Sequence, residues 1–75
     1  MIIHRPRDLG KLIRTRRVEV GLTANQVADL ANVSRRLLIE VETGKRNQVG
    51  FANLLRILEM LGLRVDVGPR GPSGV

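Results

Sequence analysis

Two adjacent arginines, Arg35 and Arg36, open a charged and apolar stretch, RRLLIEVETGKR, in which Glu40 stands four residues after the second of them. A guanidinium group is planar and always charged, and it forms two parallel hydrogen bonds with a carboxylate, a phosphate or the edge of a guanine. A carboxylate can accept hydrogen bonds, or it can pair with a guanidinium four residues away on a helix. The stretch therefore carries groups suited to binding an anion or a hydrogen-bonding edge.

The whole chain shares this basic character. Thirteen Lys and Arg against seven Asp and Glu give a net charge of +6 over 75 residues. A small domain with such an excess is expected to meet a polyanion, and nucleic acid is the first candidate. Many small proteins are basic without reading any sequence, so charge alone does not decide. The single aromatic residue, Phe51, argues against proteins that stack unpaired bases on aromatic rings.

Several other classes of function lack their residues. The chain has no cysteine and one histidine, His4, so we expect no metal site and no cofactor. No nucleophile–base pair, carboxylate dyad or glycine-rich phosphate loop is present, so we expect no catalytic residues, no enzyme and no small-molecule ligand. No apolar run approaches the ~20 residues of a membrane span. We therefore expect a cytoplasmic protein without membrane contact.

Apolar residues recur at helical spacing in four segments. The predicted helices are residues 6–20, 24–31, 35–43 and 51–62. Thr23 and Gln26 have the spacing of a capping box at the start of the second helix, and Ser34 is a suitable N-cap for the third. Asn32 tolerates the left-handed backbone of a tight turn. Two short helices joined in this way form a helix-turn-helix.

The stretch LRVDV that follows the fourth helix alternates strictly, which predicts a strand at residues 63–67. One strand leaves its backbone groups unpaired, so its best partner is the same strand of a second copy. Antiparallel pairing about Val65 sets Arg64 opposite the partner's Asp66, and Leu63 opposite the partner's Val67. We expect a homodimer with an intersubunit antiparallel sheet; the alternative is a frayed extension.

The chain is expected to be a single domain. Residues 1–67 would form it, including the dimerisation strand. Residues 68–75, GPRGPSGV, are rich in Gly and Pro and are expected to be a disordered tail.

The stretch TANQVADLANVSRRLLIEVETGKR resembles the DNA-binding core of the Cro and phage-repressor-like (XRE) helix-turn-helix family, and the resemblance covers residues 9–61. Ala28 is the small residue where the two motif helices approach, and Asn32 takes the turn position usually held by Gly. Leu38 and Val41 fall where the family buries aliphatic residues. The resemblance implies a mainly α, four-to-five-helix, lambda-repressor-like domain.

A narrower resemblance joins three stretches, PRDLGKLIR, VSRRLLIEVETGKR and LGLRVDV. They are similar to the HipB-type subgroup of antitoxins and autorepressors, which pair with HipA-type kinase toxins. This implies a sequence-specific repressor of its own operon that binds a palindromic double-stranded operator and a HipA-type toxin. Two alternatives stay open: a stand-alone phage-type repressor, and a protein-interaction module with only incidental DNA affinity.

Helical projection of the third segment places Leu38 and Val41 on one face and Arg36 and Glu40 on the opposite one. Recognition helices read base edges mainly through their N-terminal residues. The resemblance therefore implies base contacts from Arg35, Arg36, Leu37 and Glu40. The arginines would bind guanine, Glu40 a cytosine amine and Leu37 a thymine methyl. The alternatives are phosphate contacts for the arginines and an exposed pair of Glu40 with Arg36.

The family contacts phosphate from the amino end of its second helix, the start of its third and the loop that follows. The matching residues here are Thr23, Asn25, Gln26, Ser34, Lys45, Arg46 and Asn47. Ala24 departs from the family, which often has a phosphate-clamping Gln directly after the second helix's cap. The clamp is then expected to be weaker, or to come from Asn25 or Gln26.

Other charges have structural roles in this comparison. The family pairs the positions of Arg17 and Glu42, which ties the motif to the first helix. The remaining basic residues near the amino end are expected to form a solvated face; they are Arg5, Arg7, Lys11, Arg14 and Arg16.

Overall fold

The computed structural model describes residues 2–46 and 48–69, and this part of the chain forms four helices. They are α1 (Pro6–Glu19), α2 (Ala24–Ala31), α3 (Arg35–Glu42) and α4 (Phe51–Met60). The predicted mainly helical architecture with a helix-turn-helix is confirmed. Three helices end one or two residues earlier than predicted, because Val20, Thr43 and Leu61 are their C-terminal caps.

The turn between α2 and α3 follows from its local chemistry. The Gln26 N–H donates to Thr23 Oγ1 over 3.1 Å, and the Thr23 N–H donates to Gln26 Oε1 over 2.8 Å, which completes the predicted capping box. Asn32 ends α2 in the left-handed region, with φ 55°. The Leu37 N–H donates to Ser34 Oγ over 3.0 Å and starts α3.

All four helices contribute to one apolar core. Its buried members are Ile13, Val27, Ala28, Ala31, Leu38, Val41, Ile57, Leu58 and Leu61. α1 contacts α3, while α2 contacts both α3 and α4. The helix-turn-helix is therefore packed on the other two helices, and α3 keeps its opposite face exposed.

Gly10 in α1 is buried because the end of α3 crosses directly above it. A Cβ at this position would lie 2.1 Å from the Val41 carbonyl oxygen and 2.8 Å from that of Glu42. The sequence does not predict this contact, since nothing in the apolar spacing of α1 marks a glycine as a crossing point. The close approach allows the two backbones to pack without an intervening side chain.

The strand predicted at residues 63–67 is not formed in the single chain. From Leu63 onward the described residues have no regular secondary structure and belong to no ladder. The Leu63 N–H instead donates to the Leu58 carbonyl over 2.9 Å, which closes the end of α4. Arg64 Nε donates to Asp66 Oδ2 of the same chain over 3.2 Å. The physical reason is that a strand needs a neighbour, and the described part of one chain offers none.

The predicted tail, residues 68–75, falls largely outside the described residues, which end at residue 69. Its expected disorder therefore stays a prediction.

Two arginines join helix ends in a way that sequence analysis missed. Arg16, expected in the solvated face, instead donates from Nε to the Leu61 carbonyl over 2.9 Å. Arg56 donates from Nε to the Ala31 carbonyl over 2.9 Å and also contacts Asn53 Oδ1. The last carbonyls of a helix have no donor within the helix, so distant guanidinium groups satisfy them here.

Candidate nucleic-acid interface

The exposed surface of α3 begins with its two arginines. Arg35 and Arg36 follow the Ser34 cap directly, so both lie in the first turn of the helix and are exposed. The Arg36 side chain is 86% exposed, whereas Leu38 on the opposite side is fully buried. A guanidinium pair at the amino end of an exposed helix can reach an edge or an anion brought up to that end.

Leu37 occupies a different environment from the two arginines. It is half-buried and packs against the core, so only part of the side chain reaches solvent. Ile39 is also half-buried. Both residues lie at the borders of the exposed face, which limits the area that either could offer to a thymine methyl.

Glu40, predicted as a base contact, already has two cationic neighbours. Its Oε1 accepts from Arg46 Nη1 over 2.9 Å, and its Oε2 lies 3.8 Å from Arg36 Nε. The Glu40 side chain is 27% exposed and that of Arg46 is 42% exposed. One carboxylate thus lies between an arginine of the first turn of α3 and an arginine of the loop that follows the helix.

The predicted phosphate contacts lie in three places around α3. Thr23 and Ser34 have hydroxyl groups that accept the Gln26 and Leu37 N–H groups, while Asn25 and Gln26 are exposed in the first turn of α2. Lys45 and Arg46 are exposed after α3, and Asn47 lies outside the described residues. The earliest N–H groups of a helix have no intrahelical partner, so the starts of α2 and α3 each offer donors to an anion.

Arg17 and Glu42 form a two-pronged ion pair between α1 and the last residue of α3. Arg17 Nε donates to Glu42 Oε2 over 2.7 Å and Nη2 donates to Oε1 over 3.0 Å. Arg17 Nη1 also donates to the Leu22 carbonyl over 3.1 Å. The side chains are only 13% and 2% exposed, so Arg17 is not available to a partner. The hydrogen bond with Glu42 raises the pKa of Arg17, and burial opposes that rise only in part.

Residues 2–46 and 48–69 contain neither a metal-binding cluster nor a helix that could span a membrane. No group of three or more His, Asp or Glu there is close enough to hold a metal ion. In the same residues, none of the helices has the length and apolarity needed to cross a membrane.

Known proteins are similar to this chain in sequence and in structure. A family model described as a helix-turn-helix domain matches residues 8–67. The uncharacterised HTH-type transcriptional regulator y4mF of Sinorhizobium fredii is 35% identical over 66 residues, which cover 87% of this chain and 84% of the relative. The crystal structure of the restriction-modification controller protein C.AhdI from Aeromonas hydrophila is similar with a TM-score of 0.72 and 29% identity, covering 79% of this chain and 88% of that chain. Because the family match covers most of the chain and includes residues of all four helices, this chain belongs to the helix-turn-helix domain family.

Proposed function

We propose that this protein is a sequence-specific, double-stranded DNA-binding transcriptional repressor that acts by occupying promoter DNA. The observation that carries the proposal is the exposed pair Arg35 and Arg36 at the amino end of α3, a helix anchored at its other end by a buried ion pair. Family membership and a relative named as a transcriptional regulator support it. Such a protein would act in the cytoplasm, on the nucleoid, and needs no cofactor.

In this proposal α3 enters the major groove with its exposed face. Arg35 and Arg36 bind base edges, with guanine O6 and N7 as the acceptors that suit a guanidinium. The half-buried Leu37 side chain offers a small apolar contact to a thymine methyl. Phosphate contacts come from the starts of α2 and α3 and from the loop after α3; these residues are Thr23, Asn25, Gln26, Ser34, Lys45, Arg46 and Asn47.

The proposed assembly is a homodimer paired through residues 63–67. Val65 and Val67 are 54% and 92% exposed in the single chain, so both present apolar surface to a second copy. The backbone groups of an extended segment need partners, and a two-fold copy supplies them. A two-fold dimer reads a palindrome whose half-sites lie about 10 to 10.5 base pairs apart.

The narrower HipB-type role is not part of this proposal. The similar proteins are named as a transcriptional regulator and a restriction-modification controller, and neither name refers to an antitoxin. A HipA-type toxin partner therefore rests on the sequence resemblance alone and stays a prediction. The stand-alone regulator uses the same DNA chemistry and requires no toxin.

Replacing both Arg35 and Arg36 by alanine is expected to abolish most of the preference for one DNA sequence over random duplex. Each bidentate arginine–guanine pair contributes about 1 to 3 kcal/mol of discrimination. The preferred sequence would first be selected from randomised duplexes with the unchanged protein, and competition binding would then compare the variants. Lys11→Ala/Arg14→Ala is the matched control, because it removes two exposed cations from α1 and should weaken both DNAs similarly. An unchanged preference in the α3 variant would contradict the base-reading role.

Val65→Pro is expected to convert the dimer to a monomer in sedimentation velocity. Proline removes a backbone N–H from the centre of the proposed ladder and cannot donate to the partner strand. Val65→Thr keeps the β-branched shape and the N–H, so it should remain dimeric. A proline variant that sediments as the unchanged protein does would refute this mode of pairing.

A further inference from the structure

Glu40 is the acidic side chain of α3 that reaches its exposed face. The other acid of the helix, Glu42, is 2% exposed and fully engaged by Arg17. Glu40 binds Arg46 over 2.9 Å and lies 3.8 Å from Arg36. Both carboxylate oxygens of Glu40 therefore lie near a guanidinium, so the carboxylate is poorly placed to accept a hydrogen bond from a cytosine amine.

We infer that Glu40 is a positioning residue of the recognition surface: it holds the base-reading Arg36 and the loop residue Arg46 on one carboxylate, and its charge lowers the affinity for DNA of random sequence. The inference rests on the proposed function, and it replaces the direct cytosine contact predicted from the sequence. Its chemistry is that of an internal counter-ion that competes with phosphate.

The competition follows from the positions of the three charges. A phosphate that binds Arg46 must either displace the Glu40 carboxylate, which then faces the polyanion without its closest cation, or lie close to that negative charge, because Glu40 engages only Nη1 of Arg46. Random duplex compensates little for the weakened Arg46–Glu40 ion pair, because its contacts with the protein are to phosphate alone. The preferred sequence also offers base edges to Arg36, whose guanidinium lies within reach of the same carboxylate. Glu40 thus penalises the random sequence more than the preferred one.

Glu40→Gln tests this directly, since it keeps the shape of the side chain and removes its charge. The affinity for random duplex is expected to rise by up to about tenfold at 0.1 M salt, and the slope of log K against log salt should steepen by about 0.9, the value of one added phosphate contact. The ratio of preferred to random binding should fall by up to about tenfold, because the affinity for the preferred sequence is expected to change less than the affinity for random duplex. Glu59→Gln, at an exposed position of α4, makes the same change of charge and should alter neither the slope nor the ratio to this extent.

A double-mutant cycle with Arg46→Gln identifies the cation that is released. In the Arg46→Gln background, adding Glu40→Gln should raise the random-duplex affinity by less than it does in the unchanged background, because no Arg46 remains to be released. A rise of the same size in both backgrounds would overturn the inference, as would equal effects of Glu59→Gln and Glu40→Gln. If Glu40→Gln instead changes the preference at one base pair and leaves random binding unchanged, Glu40 reads a base and the inference is wrong.

The same measurements separate this inference from the proposed function. Absence of any sequence preference in the unchanged protein would count against the proposed function. The effect of Glu40 on random-duplex binding is tested separately, by the random-duplex affinities of the variants and their salt slopes. A protein with a clear preference and a Glu40→Gln variant without effect on random duplex would keep the proposed function and refute the role of Glu40.

Discussion

Glu42→Gln is expected to lower the free energy of unfolding by about 3 to 5 kcal/mol, the usual cost of removing one partner of a buried ion pair. The substitution keeps the volume of the side chain but leaves the Arg17 guanidinium, 13% exposed, without its counter-charge. It also places an amide N–H₂ among donors that need acceptors. A domain of this size has a total stability on the order of 5 to 10 kcal/mol, so the variant should be close to unfolding at room temperature.

Urea unfolding followed by circular dichroism measures this loss, at one fixed protomer concentration because dimerisation would add to the apparent stability. The double variant Arg17→Met/Glu42→Met should lose much less than either single variant, since an apolar pair leaves no stranded charge. Glu19→Gln is the exposed control: its carboxylate lies 3.7 Å from Arg16 Nη1 at the surface, and its removal should cost about 1 kcal/mol or less. A Glu42→Gln loss no larger than that of Glu19→Gln would show that the buried pair does not hold α3 in place.

The pair should stabilise the fold to the same extent across the neutral pH range. The pKa of Arg17 is raised in the folded protein by its hydrogen bond with Glu42. A raised pKa stabilises the fold fully below the value in the unfolded chain, and that stabilisation is lost only as the pH rises through the folded value. For an arginine this loss lies far above neutrality.

The elements that sequence analysis predicted correctly are those fixed by neighbouring residues. Thr23 and Gln26 are three positions apart, and Ser34 stands three positions before Leu37, so their capping bonds depend on the local chain alone. The burial of Leu38 likewise follows from helical spacing within one short segment. Features of this kind can be predicted from the sequence without knowledge of the tertiary structure.

The features that were missed depend on residues far apart in the chain. Arg56 bonds to Ala31, 25 positions away, and Arg16 bonds to Leu61, 45 positions away. An exposed arginine and an arginine that caps a distant helix look alike in a sequence, because both occur at polar positions of an amphipathic helix. The strand proposed at residues 63–67 would need a second copy, and the described residues of one chain form no strand there even though the alternating pattern is strong.

The candidate interface also contains a local feature that the sequence predicts and a long-range contact that it does not. The exposed face of α3 was predictable from helical periodicity, which placed Arg36 and Glu40 opposite Leu38. The contact between Glu40 and Arg46 was not, because the path of the loop after α3 determines it. Helical spacing predicts the pairing of Glu40 with Arg36 only as an alternative, whereas Arg46 is the closer of its two partners.

Gly10→Ala is expected to destabilise the protein by about 3 kcal/mol, at the upper end of the usual cost of overpacking a well-packed core. The added methyl group would lie 2.1 Å from the Val41 carbonyl oxygen, so reaching even 3.0 Å requires a shift of about 0.9 Å. The obstacle is backbone, which cannot rotate out of the way as a side chain can. α1 and the end of α3 must therefore separate, and this would also stretch the nearby Arg17–Glu42 bonds of 2.7 Å and 3.0 Å.

The expected destabilisation by Gly10→Ala is informative because helix propensity alone predicts that this substitution stabilises α1. Alanine is favoured over glycine inside a helix by about 1 kcal/mol, so without the contact with α3 the substitution would stabilise α1. Thr15→Ala and Thr15→Gly, at an exposed position of the same helix, measure that local preference directly. Urea unfolding should show Thr15→Ala to be more stable than Thr15→Gly, while Gly10→Ala is less stable than the unchanged protein. If Gly10→Ala were as stable as the unchanged protein, the crossing of α1 and α3 would have to be looser than 2.1 Å implies, and α3 would lack this close backbone support from α1.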